Sequence, residues 1–334
     1  MNIGKVPENV LKRSILKKIE TRRSEVLLGA GVGEDCAVLA LKEDEVFILS
    51  TDPITGTTKD IGSLSIHVTA NDLASSGAEP VGVLVTALLP PEITEDDIKV
   101  IMDDIAKTCA PLNMQIIGGH TEITDVVKKP VISITGIGKA KKGKVVATNG
   151  CKPGNDIVVT KWIGLEGTQI LAKEHEEELK KRFPDRMIYE AQSFDKMLSV
   201  VPEAATAVKS DVTAMHDVTE GGIFGALWEM AESSGVGLEI DLKAIPVRQE
   251  TIEICNFFDI NPYGLISSGS MLMAAEDGNR LVSELKKAGI HASIVGKATD
   301  SNDRVLINGE NRRFLEPPKT DELYKVKKER KNNE

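Results

Sequence analysis

Four short segments in the first third of the chain combine carboxylates with glycines. They are Gly31-Val32-Gly33-Glu34-Asp35-Cys36-Ala37, Thr51-Asp52, Asn71-Asp72 and Gly118-Gly119-His120-Thr121-Glu122. The carboxylates of Asp35, Asp52 and Asp72 are hard oxygen ligands of the kind that hold Mg²⁺ against phosphates. The glycines expose backbone N–H groups that can bind phosphate oxygens directly. Because no Gly-x-x-x-x-Gly-Lys-Ser/Thr motif is present, the segments predict a nucleoside-triphosphate site without a Walker loop.

Taken singly, each segment also has an ordinary structural interpretation. Asp52 precedes Pro53 at the end of an apolar run, where an aspartate is often only a turn residue. Asn71 and Asp72 fall inside a predicted helix, in which both residue types have poor propensity, and the apolar neighbours of Asp72 favour a functional role. His67 would share the helix face of Asn71 and is more simply explained as a structural histidine.

A fifth segment, residues 215–222, reads Met-His-Asp-Val-Thr-Glu-Gly-Gly. It is predicted to open a helix, with Asp217 or Thr219 as the N-cap. A helix N-terminus that carries Gly221 and Gly222 could bind an anion. An ordinary capped helix explains the same pattern equally well.

Alternating strands and helices must position these residues. The first half predicts helices at 7–22, 62–77 and 94–108, and strands at 37–41, 46–50, 81–89, 114–117 and 131–137. The second half predicts strands at 157–160, 238–240, 271–275 and 292–295, helices near 165–182, 186–199, 226–233 and 280–288, and a hairpin at 304–315. The turn-rich residues 149–154 mark a boundary between a domain at 1–148 and one at 149–334. This order predicts an α/β or α+β fold in both halves.

The bulk composition excludes several classes of protein. A net charge of −10 argues against non-specific nucleic-acid binding, and the basic run at 325–331 is predicted to be a solvated tail. The four cysteines have no zinc-knuckle or Cys-x-x-Cys spacing and are predicted to be reduced thiols. No window reaches 18 uninterrupted apolar residues and the N-terminus lacks the apolar core of a signal peptide, so no membrane span and a cytoplasmic location are expected.

Together these segments resemble the superfamily of aminoimidazole ribonucleotide synthetase (PurM), selenophosphate synthetase, thiamine-monophosphate kinase and the hydrogenase maturation protein HypE, with the greatest overall similarity to HypE. The most specific block runs from residue 68 to 80, Val-Thr-Ala-Asn-Asp-Leu-Ala-Ser-Ser-Gly-Ala-Glu-Pro. The resemblance implies a two-domain PurM-like α/β (α+β) fold, with an N-terminal mixed sheet that pairs in a dimer barrel and a C-terminal α/β sandwich. It also implies a homodimer, and ATP with Mg²⁺ between the domains.

The resemblance also implies a role for each matching residue. Metal and triphosphate binding would fall to Asp35, Asp52 and Asp72, with Asn71 beside them. Nucleotide contacts would come from Gly31 and Gly33 in a loop over the phosphates, and from Gly118, Gly119, His120 and Thr121 along the phosphate side. The acceptor side would be shaped by Asp217, Thr219, Gly221 and Gly222. Asp72, His120 and Asp217 are the implied catalytic residues.

Two departures narrow the functional expectation. HypE carries its carbamoyl group on a cysteine in a Pro-Arg-Ile-Cys-like tail, whereas the last cysteine here is Cys255, so self-modification of that kind is not expected. His120 stands where HypE has Asp, and histidine is a weaker Mg²⁺ ligand that could contact a phosphate oxygen instead. The leading hypothesis is ATP-dependent phosphoryl transfer that activates an unidentified acceptor. The alternatives are a small-molecule kinase of the thiamine-phosphate type, a non-catalytic nucleotide sensor in a maturation complex, and hydrogenase maturation through another protein's cysteine.

Overall fold

A computed structural model describes residues 3–32, 34, 36–55, 60–317 and 319–326. The chain forms two compact units, one of residues 1–74 with 78–145 and the other of residues 75–77 with 146–334. Of the predicted site residues, Gly33 and Asp35 lie outside the described residues. The predicted domain boundary, between 148 and 149, falls within the 3₁₀ turn Thr148–Gly150.

The first unit is built on a five-stranded mixed sheet. Its elements are β1 (Gly4–Lys5), α1 (Glu8–Val10), β2 (Val26–Leu28), β3 (Val38–Leu39), β4 (Glu45–Ile54), α2 (Ile61–Ser75), β5 (Glu79–Leu89), α3 (Glu95–Cys109), β6 (Gln115–Ile123) and β7 (Val131–Lys141). After α1 the chain continues as a π-helical stretch, Leu11–Ile15, and a 3₁₀ turn, Leu16–Lys18. The sheet order is β1-β6-β5-β7-β4, with β5 and β6 parallel, and β2 pairs with β3 as a separate ribbon.

Small residues let α2 pack closely on its neighbours. Gly136 of β7 lies directly under Thr69, so a side chain at 136 would collide with the threonine methyl group. Gly62 similarly approaches the backbone of Ile101 in α3. At the start of α3, Thr94 and Asp97 form a reciprocal capping box.

The second unit is built on a seven-stranded mixed sheet in the order β14-β13-β10-β12-β8-β11-β9. Its strands are β8 (Asp156–Thr160), β9 (Val212–Asp217), β10 (Gly237–Asp241), β11 (Met271–Ala275), β12 (Ala292–Thr299), β13 (Arg304–Asn308) and β14 (Asn311–Phe314). Its helices are α4 (Leu165–Glu174), α5 (Glu176–Leu179), α6 (Asp185–Gln192), α7 (Val201–Ala207), α8 (Gly222–Ser234), α9 (Gln249–Phe257) and α10 (Gly278–Lys287). One apolar core joins α8 to this sheet, and a second lies among α4, α6 and α9.

Three local predictions were wrong. Asp52 was expected just beyond a strand that ends at Ser50, but β4 continues through it to Ile54. The pair Gly118-Gly119 was expected to follow a strand, but β6 continues through both glycines to Ile123. Residues 215–217 were expected to open a helix, but they end strand β9, and α8 begins at Gly222 without a side-chain cap. Glycines interrupt the hydrophobic period at 118–119, and the glycine pair 221–222 suggested an earlier helix start. In both places pairing with a neighbouring strand maintains the extended backbone.

All four cysteines are free thiols in the structure, and three of them are buried. Burial raises the pKa of Cys109 and of Cys255 to about 12, so both remain protonated at neutral pH. Within the part of the chain that the structure describes, no helix is long and apolar enough to cross a membrane.

Candidate functional site

A cleft of about 350 Å³ in the first unit brings together five predicted nucleotide-site residues. They are Gly31, Gly118, Gly119, His120 and Thr121. Lys5 and Glu34 add charged groups at the wall, and the remaining lining is mainly apolar, with Leu11, Ile15, Ile19, Val85 and Met102 among its side chains. Its size and its mixture of apolar walls with a few polar groups are typical of small-molecule sites.

The backbone of β6 forms one side of the cleft because of a bulge in its pairing with β5. Val83 pairs with Ile116 but Leu84 pairs with Gly118, so Ile117 is an extra residue on β6. Gly119 then adopts a φ of +145°, and a Cβ atom there would lie 2.0 Å from the carbonyl oxygen of Val85. Only glycine can occupy this position, and it leaves the backbone open to a ligand.

The outer edge of β6 is available along the cleft. Among the described residues, β1 pairs with β6 only at Glu122 and Ile123. The Gly118–His120 stretch therefore presents strand-edge backbone groups without a strand neighbour on that side. Such groups can bind a phosphate in the way that the sequence predicted.

His120 lies at the cleft with about half of its side chain exposed. Its Nε2 atom is 3.3 Å from a carboxylate oxygen of Glu122, two residues along the same strand. The two side chains share one face of β6, because side chains alternate along a strand. A protonated His120 would be held by Glu122 and could donate a hydrogen bond to a phosphate oxygen.

Asp52, on the edge strand β4, and Asp72, on α2, lie together away from the cleft, and Ser50 links them. The hydroxyl of Ser50 donates a hydrogen bond to a carboxylate oxygen of Asp72 and lies 3.4 Å from a carboxylate oxygen of Asp52. Ser50 and Asp52 share a face of β4 and point toward α2, which carries Asp72. Asn71, the other predicted residue on α2, is fully buried.

This pair of carboxylates fits a Mg²⁺ site in its chemistry, because all the donors are oxygens. Within the described residues no group of three histidine, cysteine or carboxylate side chains is placed to hold a metal ion. The third predicted ligand, Asp35, lies outside those residues, although Gly31 and Glu34 from the same segment line the cleft. Of the three predicted metal ligands, the described residues therefore include Asp52 and Asp72.

The carboxylates of Asp52 and Asp72 are not in contact with the residues of the cleft. A row of paired residues across the sheet connects the two places. Asp52 pairs with Ile134, which pairs with Val85, which pairs with Gly119. Three strand steps separate Asp52 from Gly119, a distance of roughly 14 Å. Within one chain, the two carboxylates therefore lie at the β4 edge of the sheet, whereas the cleft lies at β6, near the opposite edge.

In the second unit, the predicted acceptor-side residues form a tight turn between β9 and α8. Asp217 ends β9 with little exposure, and the amide of Gly222 donates to the carbonyl of Thr219 at 3.0 Å. Gly221 and Gly222 have φ values of +85° and +61°. A Cβ atom on Gly222 would lie 2.6 Å from the carbonyl oxygen of Tyr263, so the turn packs against the 263–266 segment at glycine distance.

The sequence interpretation missed two buried carboxyls beside this turn, Glu166 and Asp321. Burial is the largest cause that raises the pKa of Glu166 to about 7, the negative charges of Asp321 and Asp217 add to it, and hydrogen bonds from Ser268 oppose it. A carboxyl between Leu165 and Gly167 at the start of an apolar helix was a usable signal for Glu166. Nothing local distinguishes Asp321, which lies in a polar stretch near the end of the chain.

Two family models and several curated relatives match this chain. The model described as AIR synthase related protein, N-terminal domain, matches residues 33–140, and the corresponding C-terminal domain model matches residues 152–308. A Methanocaldococcus jannaschii protein named for hydrogenase expression/formation is 29% identical over 332 residues, 97% of each chain. The carbamoyl dehydratase HypE of Cupriavidus necator is 28% identical and covers 76% of this chain and 73% of its own. The selenide, water dikinase of Methanococcus maripaludis is 28% identical, covering 92% and 95%.

Solved structures agree on the fold. The hydrogenase maturation protein HypE in complex with ATP superposes with a TM-score of 0.78 at 19% identity, covering 94% of this chain and 95% of its own. Thiamine-monophosphate kinase from Stenotrophomonas maltophilia gives a TM-score of 0.72 at 21% identity, covering 91% and 97%. With two mixed-sheet units of the expected kind and both halves matched by models of one family, the chain belongs to the AIR synthase-related (PurM-like) superfamily and is similar to HypE.

Proposed function

We propose that this protein is an ATP-dependent, Mg²⁺-requiring enzyme that transfers a phosphoryl group to activate an acceptor. The cleft in the first unit carries the proposal, because it brings Gly31, Gly118, Gly119, His120 and Thr121 around one cavity of ligand size. A HypE structure solved with ATP and a thiamine-monophosphate kinase structure solved with AMPPCP, both at low identity, support nucleotide as the ligand.

Each group of residues would contribute separately to the reaction. The edge of β6 would bind phosphate oxygens, and His120 would donate to one of them while Glu122 orients its ring. Asp52 and Asp72, with Asp35, would hold Mg²⁺, which when bound neutralises charge on the transferred phosphoryl group. Asp217, Thr219, Gly221 and Gly222 would contact the acceptor.

The first experiment measures ATP turnover by the purified protein with Mg²⁺ and after EDTA treatment. We expect turnover that requires Mg²⁺ and falls at least roughly 100-fold in Asp72→Asn, because the amide removes a negative ligand that balances the metal charge. Asp125→Asn, an exposed change in the loop between β6 and β7, is the matched control and should retain full activity.

The nucleotide product separates the related reactions. ADP would mean that one phosphate leaves, whereas AMP would mean that two leave. A phosphorylated product from a panel of vitamins and nucleotides would favour a small-molecule kinase. ATP binding without turnover, together with a co-purifying protein, would favour the nucleotide-sensor alternative, and absence of ATP binding would refute the proposal.

We also propose that the protein is a homodimer that pairs through β4. This strand is ten residues long and stands at the edge of its sheet. Its outward face carries Phe47, 47% exposed, and Leu49, 65% exposed. Exposed apolar side chains on a long edge strand favour pairing with another chain, and a second copy offers the same face.

A further inference from the structure

The C-terminal segment, residues 319–326, contacts two turns that are distant from it in sequence. One is the turn at 261–264, and the other is the turn at Gly221 and Gly222. The amide of Glu322 donates to the carbonyl of Gly264 at 3.3 Å, and its carboxylate accepts from the amide of Asn261 at 3.2 Å. Leu323 and Val326 pack into the core that α4, α6 and α9 share. This segment is therefore an integral part of the second unit, although its composition is that of a polar tail.

Asp321 is the residue by which this segment reaches the Gly221–Gly222 turn. One carboxylate oxygen accepts from the amide of Gly221 at 2.7 Å, and the other accepts from the amide of Leu323 at 2.8 Å. The backbone of Ile266 provides a further hydrogen bond. With a side chain that is 1% exposed, Asp321 links the turn before α8 to the 263–266 segment.

This contact explains how the turn keeps its shape. Both glycines are in the left-handed region, and α8 has no side-chain N-cap from its own sequence. The amide at the start of a helix needs an acceptor, and an anion is favoured there by the helix dipole. Asp321 supplies that anion from a position 100 residues later in the chain.

The surroundings make a carboxylate at this position costly. Burial raises the pKa of Asp321, the three backbone donors lower it, and the charge of Glu220 raises it further. Glu166, Asp217 and Tyr324 also interact electrostatically within this cluster. Both carboxyl oxygens of Asp321 accept from backbone amides, whereas an asparagine has one acceptor oxygen and would place its NH₂ group against the other donor, so this position fits an aspartate specifically.

We infer that Asp321 is a positioning residue for the acceptor-side turn, holding Gly221 and Gly222 in the geometry that phosphoryl transfer requires. The inference rests on the proposed function, which assigns those glycines to the acceptor side. It extends the site to a residue just before the basic run at 325–331, in a stretch to which the sequence analysis assigned no role. Asp321 acts through the turn and need not contact the substrate.

The test compares Asp321→Asn and Asp321→Glu with Lys325→Ala, an exposed change in the same segment. Hydrogen exchange at the Gly221 amide should accelerate roughly tenfold in Asp321→Asn, because its charged acceptor is lost, while amides in the middle of α8 keep their protection. Maximal ATP turnover should fall about tenfold with the KM for MgATP within about twofold, as expected when an interaction needed only in the transition state is weakened. Asp321→Glu should recover part of the loss, and Lys325→Ala should match the wild type.

Unchanged Gly221 exchange in Asp321→Asn would overturn the inference, as would faster exchange with unchanged turnover. A loss of turnover that follows the loss of unfolding free energy equally in Asp321→Asn and Asp321→Glu would show a purely structural role and would also overturn it. Failure of the proposed function is recognised separately, because it appears in the wild-type protein as absence of Mg²⁺-dependent turnover.

Discussion

Glu166 illustrates how a single buried carboxyl can make this protein sensitive to pH. Its side chain is 2% exposed and lies near the charges of Asp321 and Asp217, and these surroundings raise its pKa from the ordinary value of 4.5 to about 7. In the unfolded chain the carboxyl releases its proton near pH 4.5, whereas the folded protein retains it to about pH 7. The unfolded state therefore binds fewer protons between these values, and stability falls as pH rises through this range.

We predict that Glu166→Gln reduces this pH dependence. The free energy of unfolding of the wild type should drop between pH 5 and pH 8 by an amount on the order of 3 kcal/mol from this group, since each pKa unit is worth about 1.4 kcal/mol. The variant should lack this part of the drop and should be more stable than the wild type at pH 8. Urea unfolding monitored by circular dichroism at both pH values measures the difference.

Glu310→Gln, an exposed change in the turn between β13 and β14, is the control for this measurement. Its pH dependence should match that of the wild type. An equal drop in Glu166→Gln and in the wild type would show that other groups carry the pH dependence of stability.

At the scale of elements, the irregularity of strand β6 shapes the cleft of the first unit. The extra residue at Ile117 and the unusual backbone of Gly119 turn a regular strand into the wall of a cleft. Bulges of this kind are frequent beside active sites, where they redirect the backbone. The adjacent glycine differs, because a Cβ atom on Gly118 would meet only the end of the Leu84 side chain, at 3.0 Å.

This difference predicts unequal effects of alanine at two neighbouring positions. Gly119→Ala should reduce the free energy of unfolding by on the order of 2–4 kcal/mol and abolish nucleotide binding, because its methyl group would collide with the Val85 carbonyl. Gly118→Ala should cost about 1 kcal/mol or less, since the Leu84 side chain can move. Thermal unfolding and ATP titration of both variants test the prediction, and equal effects would contradict the close packing at Gly119.

At the scale of the whole molecule, the exposed apolar face of β4 favours association with a second chain. Phe47 and Leu49 lie on the face opposite to Ser50 and Asp52, so one strand serves the proposed interface on one side and the proposed metal site on the other. Pairing of two copies would cover the apolar residues and the free strand edge together. An interface change on β4 could therefore also alter metal binding.

We predict that Leu49→Asp produces a monomer. A carboxylate on this face would lose its hydration in the interface and would meet its own copy across a two-fold axis. Sedimentation velocity should show the wild type as a dimer and the variant at half that mass. Val126→Asp, which changes an exposed residue of the β6–β7 loop, should remain dimeric, and a monomeric wild type would refute the homodimer proposal.

The sequence by itself determined the family, the two-unit mixed α/β architecture and most of the regular elements. Hydrophobic periodicity and capping residues act over a few positions, so elements such as β5, α3 and the β13–β14 hairpin could be predicted from local pattern. The glycine and carboxylate segments also predicted residues that the structure brings to one cleft, with Gly31 and Gly118 as examples.

Only the tertiary structure decided which of these residues meet and what surrounds them. The course of β6 through two glycines depends on hydrogen bonds to β5, and these come from a different part of the chain. The separation of Asp52 from Gly119 follows from strand order, which no local pattern encodes. Asp321 acquires its role by contact with Gly221, 100 residues away in sequence. Burial and long-range contact set the charge state and the geometry of such groups, and both properties arise only when the chain is packed.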